Sequence, residues 1–184
     1  NSNTWVETQK LYASDPQDNL YFGDLIEVNA NHLLVGSRDA TNGFSAGAVY
    51  YFAYDGMNDE WSFTQKITGS DTTGGDNFSH GMSLHGNTVA IGAFQDDDFG
   101  VVNSAGSVFI FEFQDPNWVE VQKIMPAGLA YQDGFGISVA IDEVNERLFI
   151  GATGDDDVAN GSGAAFVYDL NVATWEQSHI LFAW

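Results

Sequence analysis

A tryptophan-containing segment recurs along the chain at nearly constant spacing. The four copies are WVETQKL from Trp5, WSFTQKI from Trp61, WVEVQKI from Trp118 and WEQSHIL from Trp175, in steps of 56, 57 and 57 residues. Small-residue segments keep a similar step and read SAGAVYYF, SAGSVFIF and GSGAAFVY. Self-similarity at a fixed period indicates a repeat architecture, in which each unit buries its apolar surface against its neighbours.

Each repeat divides into four short stretches separated by Gly, Asn, Asp and Ser, which predicts four β-strands. In the third repeat they cover residues 135–142, 147–152, 163–169 and 175–181. The second stretch is apolar at consecutive positions, as expected of a strand covered on both faces. The Trp stretch alternates and carries Glu and Lys, which is typical of an outermost strand. The sequence therefore predicts an all-β fold, built from four-stranded antiparallel propeller blades.

The third repeat, FGISVAIDEVNERLFIGATGDDD followed by GSGAAFVY, resembles the FG-GAP repeat of integrin α-subunit propellers. Phe22-Gly23 and Phe135-Gly136 match the first half of the motif, and Gly92-Ala93 and Gly151-Ala152 match the second half without its proline. The second repeat has Phe78-Ser79 instead. The resemblance runs from Trp5 to Leu181 and implies a β-propeller.

A single domain over residues 1–184 is expected, with an extra outer strand at 5–11 and blades at about 22–67, 78–124 and 135–181. The repeated Phe and Trp side chains are expected to pack between blades, rather than to serve as sugar-stacking platforms. Three blades and a spare strand leave unburied faces at both ends. The chain is therefore expected to be part of a longer propeller or a protomer that self-associates.

Three adjacent carboxylates follow the second strand in two of the repeats. They are Asp96, Asp97 and Asp98 in one loop, and Asp155, Asp156 and Asp157 in the other. Closely spaced carboxylates with nearby Asn and Ser oxygens suit Ca²⁺, so these residues are candidate metal ligands. Adjacent Asp residues point alternately to opposite sides, and Asp is also a common solvated turn residue. The turn interpretation therefore stays open, as it does for Asp76 and Asp133.

The charge of the chain excludes several function classes. With 26 acidic and 5 basic residues the net charge is -21, which argues against nucleic acid as a partner, and no apolar run is long enough for membrane insertion. The four histidines do not recur at one repeat position, and nothing beyond residue type selects Asp76 with Ser79-His80 as a hydrolytic site. No catalytic residue is therefore assigned.

Two function classes remain open. One is a non-enzymatic extracellular recognition or adhesion module that binds a protein or glycan through its loops, stabilised by calcium. The alternative is a structural subunit of a cell-surface or extracellular assembly. An exposed apolar patch on the loops would favour recognition, and a patch on a blade side would favour assembly.

Overall fold

The computed structural model describes residues 4–38, 45–97 and 104–183, and every regular element in them is a β-strand. The strands form three antiparallel sheets of four strands each, in which sequence neighbours pair. The all-β prediction is confirmed, as is the outermost position of the Trp strand, which pairs on one side only.

Each sheet is one blade. Blade 1 contains β1 (Ile26–Val28), β2 (His32–Ser37), β3 (Ala48–Asp55) and β4 (Glu60–Ile67). Blade 2 contains β5 (Phe78–His85), β6 (Thr88–Ala93), β7 (Ser107–Gln114) and β8 (Asn117–Ile124). Blade 3 contains β9 (Phe135–Asp142), β10 (Arg147–Ala152), β11 (Ala164–Asn171) and β12 (Thr174–Phe182).

The first repeat departs from the prediction at its start. Blade 1 begins at Ile26 rather than at Phe22, and its first strand has three residues. Residues 5–11, expected as an outer strand, form no strand. The physical reason is that a strand needs a hydrogen-bonded neighbour, and no described blade lies beyond blade 1 to supply one.

Neighbouring blades pack through two apolar faces. The forward face is the side that contacts the next blade along the chain, and the rear face is the side that contacts the preceding blade. The forward positions are Leu34, Gly36, Val49, Tyr51 and Ile67 in blade 1, and Ala90, Gly92, Val108, Ile110 and Ile124 in blade 2; all ten are buried. The strand pairing is the same in both sets, which makes the two sets equivalent.

Phenylalanine wedges join the rear face of one blade to the forward face of the blade before it. Phe78 and Phe135 are fully buried, as predicted for packing residues. The amide of Phe78 donates to the Ala46 carbonyl oxygen at 2.9 Å, and the amide of Phe135 donates to Ala105 at 2.9 Å. The residue after each Phe has a positive φ, which lets the backbone turn tightly against the preceding blade.

Glycines make room for these wedges. A methyl group at Gly92 would lie 1.9 Å from the carbonyl oxygen of Gly136, and one at Gly106 would lie 2.1 Å from that of Phe135. Gly36 and Gly47 play the same part beneath Phe78-Ser79. We call the surface that receives each Phe a Phe seat. The Phe seat of blade 1 consists of Gly36 and residues 45–47, and that of blade 2 consists of Gly92 and residues 104–106.

A glutamine clasp ties the outer strands of adjacent blades. The Gln65 side chain donates to the Trp118 carbonyl oxygen at 2.9 Å and accepts from the Trp118 amide at 2.7 Å. Gln122 binds Trp175 in the same way, at 2.9 and 2.8 Å. Gln9 binds Trp61 at 2.8 and 2.9 Å, so residues 5–11 occupy the position of a preceding outer strand although they are unpaired.

Candidate functional site: the long-loop end

The two ends of the blades differ in loop length. The strand pairs β1–β2 and β3–β4, and their equivalents, are joined by tight hairpins at one end. The other end carries the β2–β3 type loops, at 38–47, 94–106 and 153–163, and the segments that lead into each blade, at 12–25, 68–77 and 125–134. We call it the long-loop end. Because long loops on a rigid scaffold commonly carry binding residues, it is the candidate functional site.

The acidic loop of blade 2 is neutralised by a lysine. Asp96 is buried, and its Oδ2 lies 2.8 Å from Lys123 Nζ and accepts from the Ser107 hydroxyl at 2.5 Å. Lys123 also pairs with Asp71 at 2.8 Å. Asp97 is exposed, and Asp98 lies outside the described residues. The first carboxylate of this loop is therefore part of the interior.

Asp76 lies at the base of the same loop. Its Oδ2 accepts from the Thr73 amide at 2.6 Å, and its backbone oxygen accepts from the Gln95 amide at 3.2 Å. Burial raises the pKa of Asp76 to about 6, with a further contribution from the charge of Asp96. Asp76 therefore caps a turn, which is one of the two roles that the sequence suggests for it. Its buried surroundings disfavour the charged form of the carboxylate.

The acidic loop of blade 3 also begins with three Asp residues shortly after the second strand of its blade, but it lacks the lysine. Asp155 is buried, its carboxylate accepts from the Asp157 amide at 3.3 Å, and Asp156 and Asp157 are exposed. Burial, followed by the charges of Asp157 and Asp133, raises the pKa of Asp155. The strand position equivalent to Lys123 is Ile180.

Asp133 underlies the blade 3 loop as Asp76 underlies that of blade 2. Its backbone oxygen accepts from the Gly154 amide at 2.9 Å, and its Oδ2 accepts from the Ala130 amide at 2.6 Å. Its other carboxylate oxygen is buried and has no hydrogen-bond partner in the part of the chain that the structure describes. In the ranges that the structure describes, no three or more acidic or histidine side chains converge as a metal-binding group. Calcium binding at Asp96–Asp98 and Asp155–Asp157 stays a prediction.

Three tyrosine side chains are exposed in the described part of the long-loop end. Tyr12, Tyr21 and Tyr131 are 65%, 59% and 63% exposed. The Arg38 guanidinium lies 5.6 Å from the ring centre of Tyr21, and Lys10 Nζ lies 5.5 Å from that of Tyr12. These tyrosines do not recur at one repeat position, so the repeat pattern gives no signal for them.

The repeated tryptophans are less accessible. Trp118 and Trp175 are buried and Trp61 is half-buried, in agreement with packing between blades, whereas Trp5 is exposed. Sugar stacking on this repeated position is therefore not supported for the three tryptophans in the blades.

The side chains of Asp76, Ser79 and His80 do not form a hydrolytic arrangement. Asp76 binds Thr73, and His80 Nδ1 lies 3.3 Å from the Ile137 carbonyl oxygen. The Ser79 hydroxyl is buried and has no hydrogen-bond partner among the described residues. A nucleophilic serine needs a base within hydrogen-bond distance, so this grouping does not activate Ser79.

Comparison with known proteins supports the repeat assignment. The family model described as FG-GAP repeat matches residues 5–52, 61–111 and 118–168. Each match begins at a Trp segment, so a sequence repeat is the outer strand position of one blade followed by three strands of the next. A search of curated proteins gave no significant match. The family matches cover most of the chain and agree with its three blades, and the chain therefore belongs to the FG-GAP repeat family.

Proposed function

We propose that the chain is a non-enzymatic, extracellular recognition module that binds a glycan or protein at its long-loop end. The observation that carries the proposal is the exposure of Tyr12, Tyr21 and Tyr131 there. A tyrosine combines a large apolar ring with a hydroxyl group at little entropic cost, which suits it to binding surfaces that are partly wet.

Several features favour a glycan among these ligands. The rings offer flat faces for sugar rings, and the exposed carboxylates of Asp97, Asp156 and Asp157 offer acceptors for sugar hydroxyls. The net charge of -21 disfavours acidic ligands. The described residues contain no helix long and apolar enough to cross a membrane. Calcium bound to the acidic loops would stiffen the same surface.

A glycan array tests the proposal. The labelled chain is applied to neutral and acidic glycans, alongside Tyr131→Ala and the control Met57→Ala. Met57 is 97% exposed but lies in the β3–β4 hairpin at the opposite end. We expect binding to neutral glycans to fall about tenfold or more in Tyr131→Ala, as for a central contact residue, and to stay unchanged in Met57→Ala. An array with no bound glycan, or equal binding by both variants, would contradict the glycan proposal.

The alternative role, as a structural subunit, is favoured by a different observation. Leu181, on the side of blade 3, is 54% exposed, whereas its equivalents Ile67 and Ile124 are buried. An apolar patch on a blade side is the feature expected of an assembling subunit.

A further inference from the structure

The forward face of blade 3 exposes positions that blades 1 and 2 bury. Its residues are Phe149, Gly151, Ala165, Val167 and Leu181, which pair across β10, β11 and β12 in the same register as the forward positions of the other two blades. Leu181 is exposed, Phe149, Gly151 and Ala165 are half-buried, and Val167 is the one position of the five that is buried. The side chains are small or apolar, as in the two faces that receive another blade.

The Phe seat of blade 3 is empty. It consists of Gly151 and residues 161–163. A methyl group at Gly163 would meet only atoms of its own blade, the nearest at 3.4 Å, whereas the equivalent Gly47 and Gly106 have the backbone of a Phe from the next blade against them. Gly163 has a φ of 75°, close to 87° and 91° at those two glycines. The seat is thus formed in the absence of its occupant.

The matching wedge is found at the other end of the molecule. Phe22 packs edge-on against Tyr50 and Phe52, with ring centres 5.4 and 6.2 Å apart, as Phe78 packs against Phe109 and Phe111 at 5.4 and 6.2 Å. Gly23 has a φ of 97°, close to the 91° of Gly136. A methyl group at Gly23 would have no described atom within 4 Å, whereas one at Gly136 would meet the preceding blade.

We propose that the forward face of blade 3 binds the rear face of blade 1 of a second copy, with Phe22-Gly23 entering the empty Phe seat. Blades 2 and 3 already use their Phe wedges within the chain, so Phe22 is the wedge that remains. Two copies joined head to tail at both ends would give six blades, within the four to eight with which propellers close, whereas three copies would give nine. The closed dimer leaves no forward face exposed.

One outer strand must move when the dimer forms. In each junction, β12 of one copy would lie against the backbone of Trp61 in the other copy, as β8 lies against that of Trp175 within the chain. Gln9 of that other copy already binds the Trp61 backbone, so its residues 5–11 compete with β12. Strand β12 is paired with β11 along eight residues, and residues 5–11 are not paired with any strand. Residues 5–11 are therefore the ones displaced, and in the monomer they act as an internal competitor of dimerisation.

His179 takes the place of the clasp glutamine in β12. It pairs with Val167 as Gln122 pairs with Ile110. A histidine ring cannot both donate to a carbonyl and accept from an amide on one residue as a glutamine amide does. The junction in the native dimer is therefore weaker than the junctions inside the chain, and His179→Gln should strengthen it.

Net charge sets the conditions for the test. Two copies of charge -21 repel one another, although the five forward positions of blade 3 carry no charged side chain. Added salt screens this repulsion, with a Debye length of about 10 Å at 0.1 M. Dimerisation should therefore strengthen between about 50 mM and about 300 mM NaCl.

Analytical ultracentrifugation of the full chain tests the proposal. We expect the mass to rise with concentration from 20.0 kDa to twice that value and no further. Gln9→Ala and His179→Gln should each lower the dissociation constant, by about tenfold for the loss or gain of two hydrogen bonds. Leu181→Glu should abolish the dimer, and the control Val144→Glu, at a site 90% exposed in the β9–β10 hairpin, should leave it intact.

Three results would overturn the proposal. They are a monomer at every concentration in both Gln9→Ala and His179→Gln, a dimer that Leu181→Glu leaves unchanged, and growth into open polymers. This test and the glycan array address different surfaces, so either proposal can fail alone.

Discussion

Blades 2 and 3 carry the same acidic triplet shortly after their second strands, but they balance its charge differently. In blade 2, Lys123 reaches between Asp71 and Asp96 and lies 5.0 Å above the ring centre of Phe109. In blade 3 the equivalent residue is Ile180, and no lysine or arginine pairs with Asp155 among the described residues. Two loops of similar sequence therefore differ in charge balance: a lysine neutralises the buried carboxylate in blade 2, and none does so in blade 3.

In both blades, the first Asp of the triplet is a structural residue of the loop. Asp96 and Asp155 are both buried, and the backbone oxygen of each accepts from the glycine at the end of its loop, Gly106 at 3.1 Å and Gly163 at 2.9 Å. Asp97, Asp156 and Asp157 are exposed and available to solvent, cations or ligand. A buried carboxylate without a cation costs stability, so the two blades should respond differently to charge-changing substitutions.

The largest contrast between the blades should come from their forward glycines. Gly92→Ala places a methyl group 1.9 Å from the Gly136 backbone, whereas Gly151→Ala meets the rotatable hydroxyl of Ser138. We expect Gly92→Ala to lower the free energy of unfolding by about 3 kcal/mol or more, and Gly151→Ala by less than about 1 kcal/mol. Urea denaturation of the monomer measures both. Equal losses would show that the blades do not pack as described.

Removal of the lysine should have the next largest effect. Lys123→Met removes the cation that pairs with the buried Asp96 carboxylate, and we expect a loss of about 3 kcal/mol at neutral pH. Lys66→Met is the matched control, because its partner Asp15 is about half exposed, and it should cost less than about 1 kcal/mol. Thermal denaturation of the two variants side by side measures both losses of stability. Equal losses would contradict the neutralisation of Asp96 by Lys123.

Asp76 gives blade 2 a specific pH dependence. Its pKa in the folded chain is about 6, above the ordinary value of 3.8, so the folded state binds the proton more tightly. The stability that this tighter proton binding contributes is fully present below about pH 4 and is lost as the pH rises through about 6. We expect the stability difference between the native chain and Asp76→Asn to change by on the order of 2 kcal/mol across this range. A constant difference from about pH 4 to about pH 7 would contradict the assignment.

The smallest expected effect is that of calcium. If the acidic loops bind it, calcium at about ten times its dissociation constant raises stability by about 1.4 kcal/mol, and EDTA removes the increase. Blade 3 should contribute more than blade 2, where Lys123 competes. Melting in calcium should therefore shift less in Asp157→Ala than in Asp97→Ala. No shift in the native chain would leave Asp96–Asp98 and Asp155–Asp157 as solvated turns.

The sequence predicts much of this fold, because strands in equivalent environments need equivalent side chains. The four short stretches of each repeat, separated by Gly, Asn, Asp and Ser, predict its four strands, and the recurrence of Phe at one repeat position predicts the burial of Phe78 and Phe135. The same reasoning fails at residues 5–11, because their conformation depends on a partner strand and not on their own side chains.

The links between adjacent blades are not predicted from the sequence. Glu and Lys in the Trp strands indicate edge protection, but Gln65 and Gln122 clasp a backbone 53 residues away, and Lys123 neutralises a buried Asp. The available signal was the recurrence of Gln and Lys at one position in three of the four Trp segments. In this chain, polar residues that recur at the repeat period indicate contacts between blades, as the recurring apolar residues also do.

The Phe wedge is seated against a preceding blade at Phe78 and Phe135 but not at Phe22, and amide hydrogen exchange measures this difference directly. The amides of Phe78 and Phe135 donate across a blade junction, and no backbone bond from the Phe22 amide is present among the described residues. In the dilute monomer we expect strong protection of Phe78 and Phe135, close to that of global unfolding, and fast exchange at Phe22. Equal protection at all three amides, or fast exchange at Phe78 and Phe135, would contradict the account.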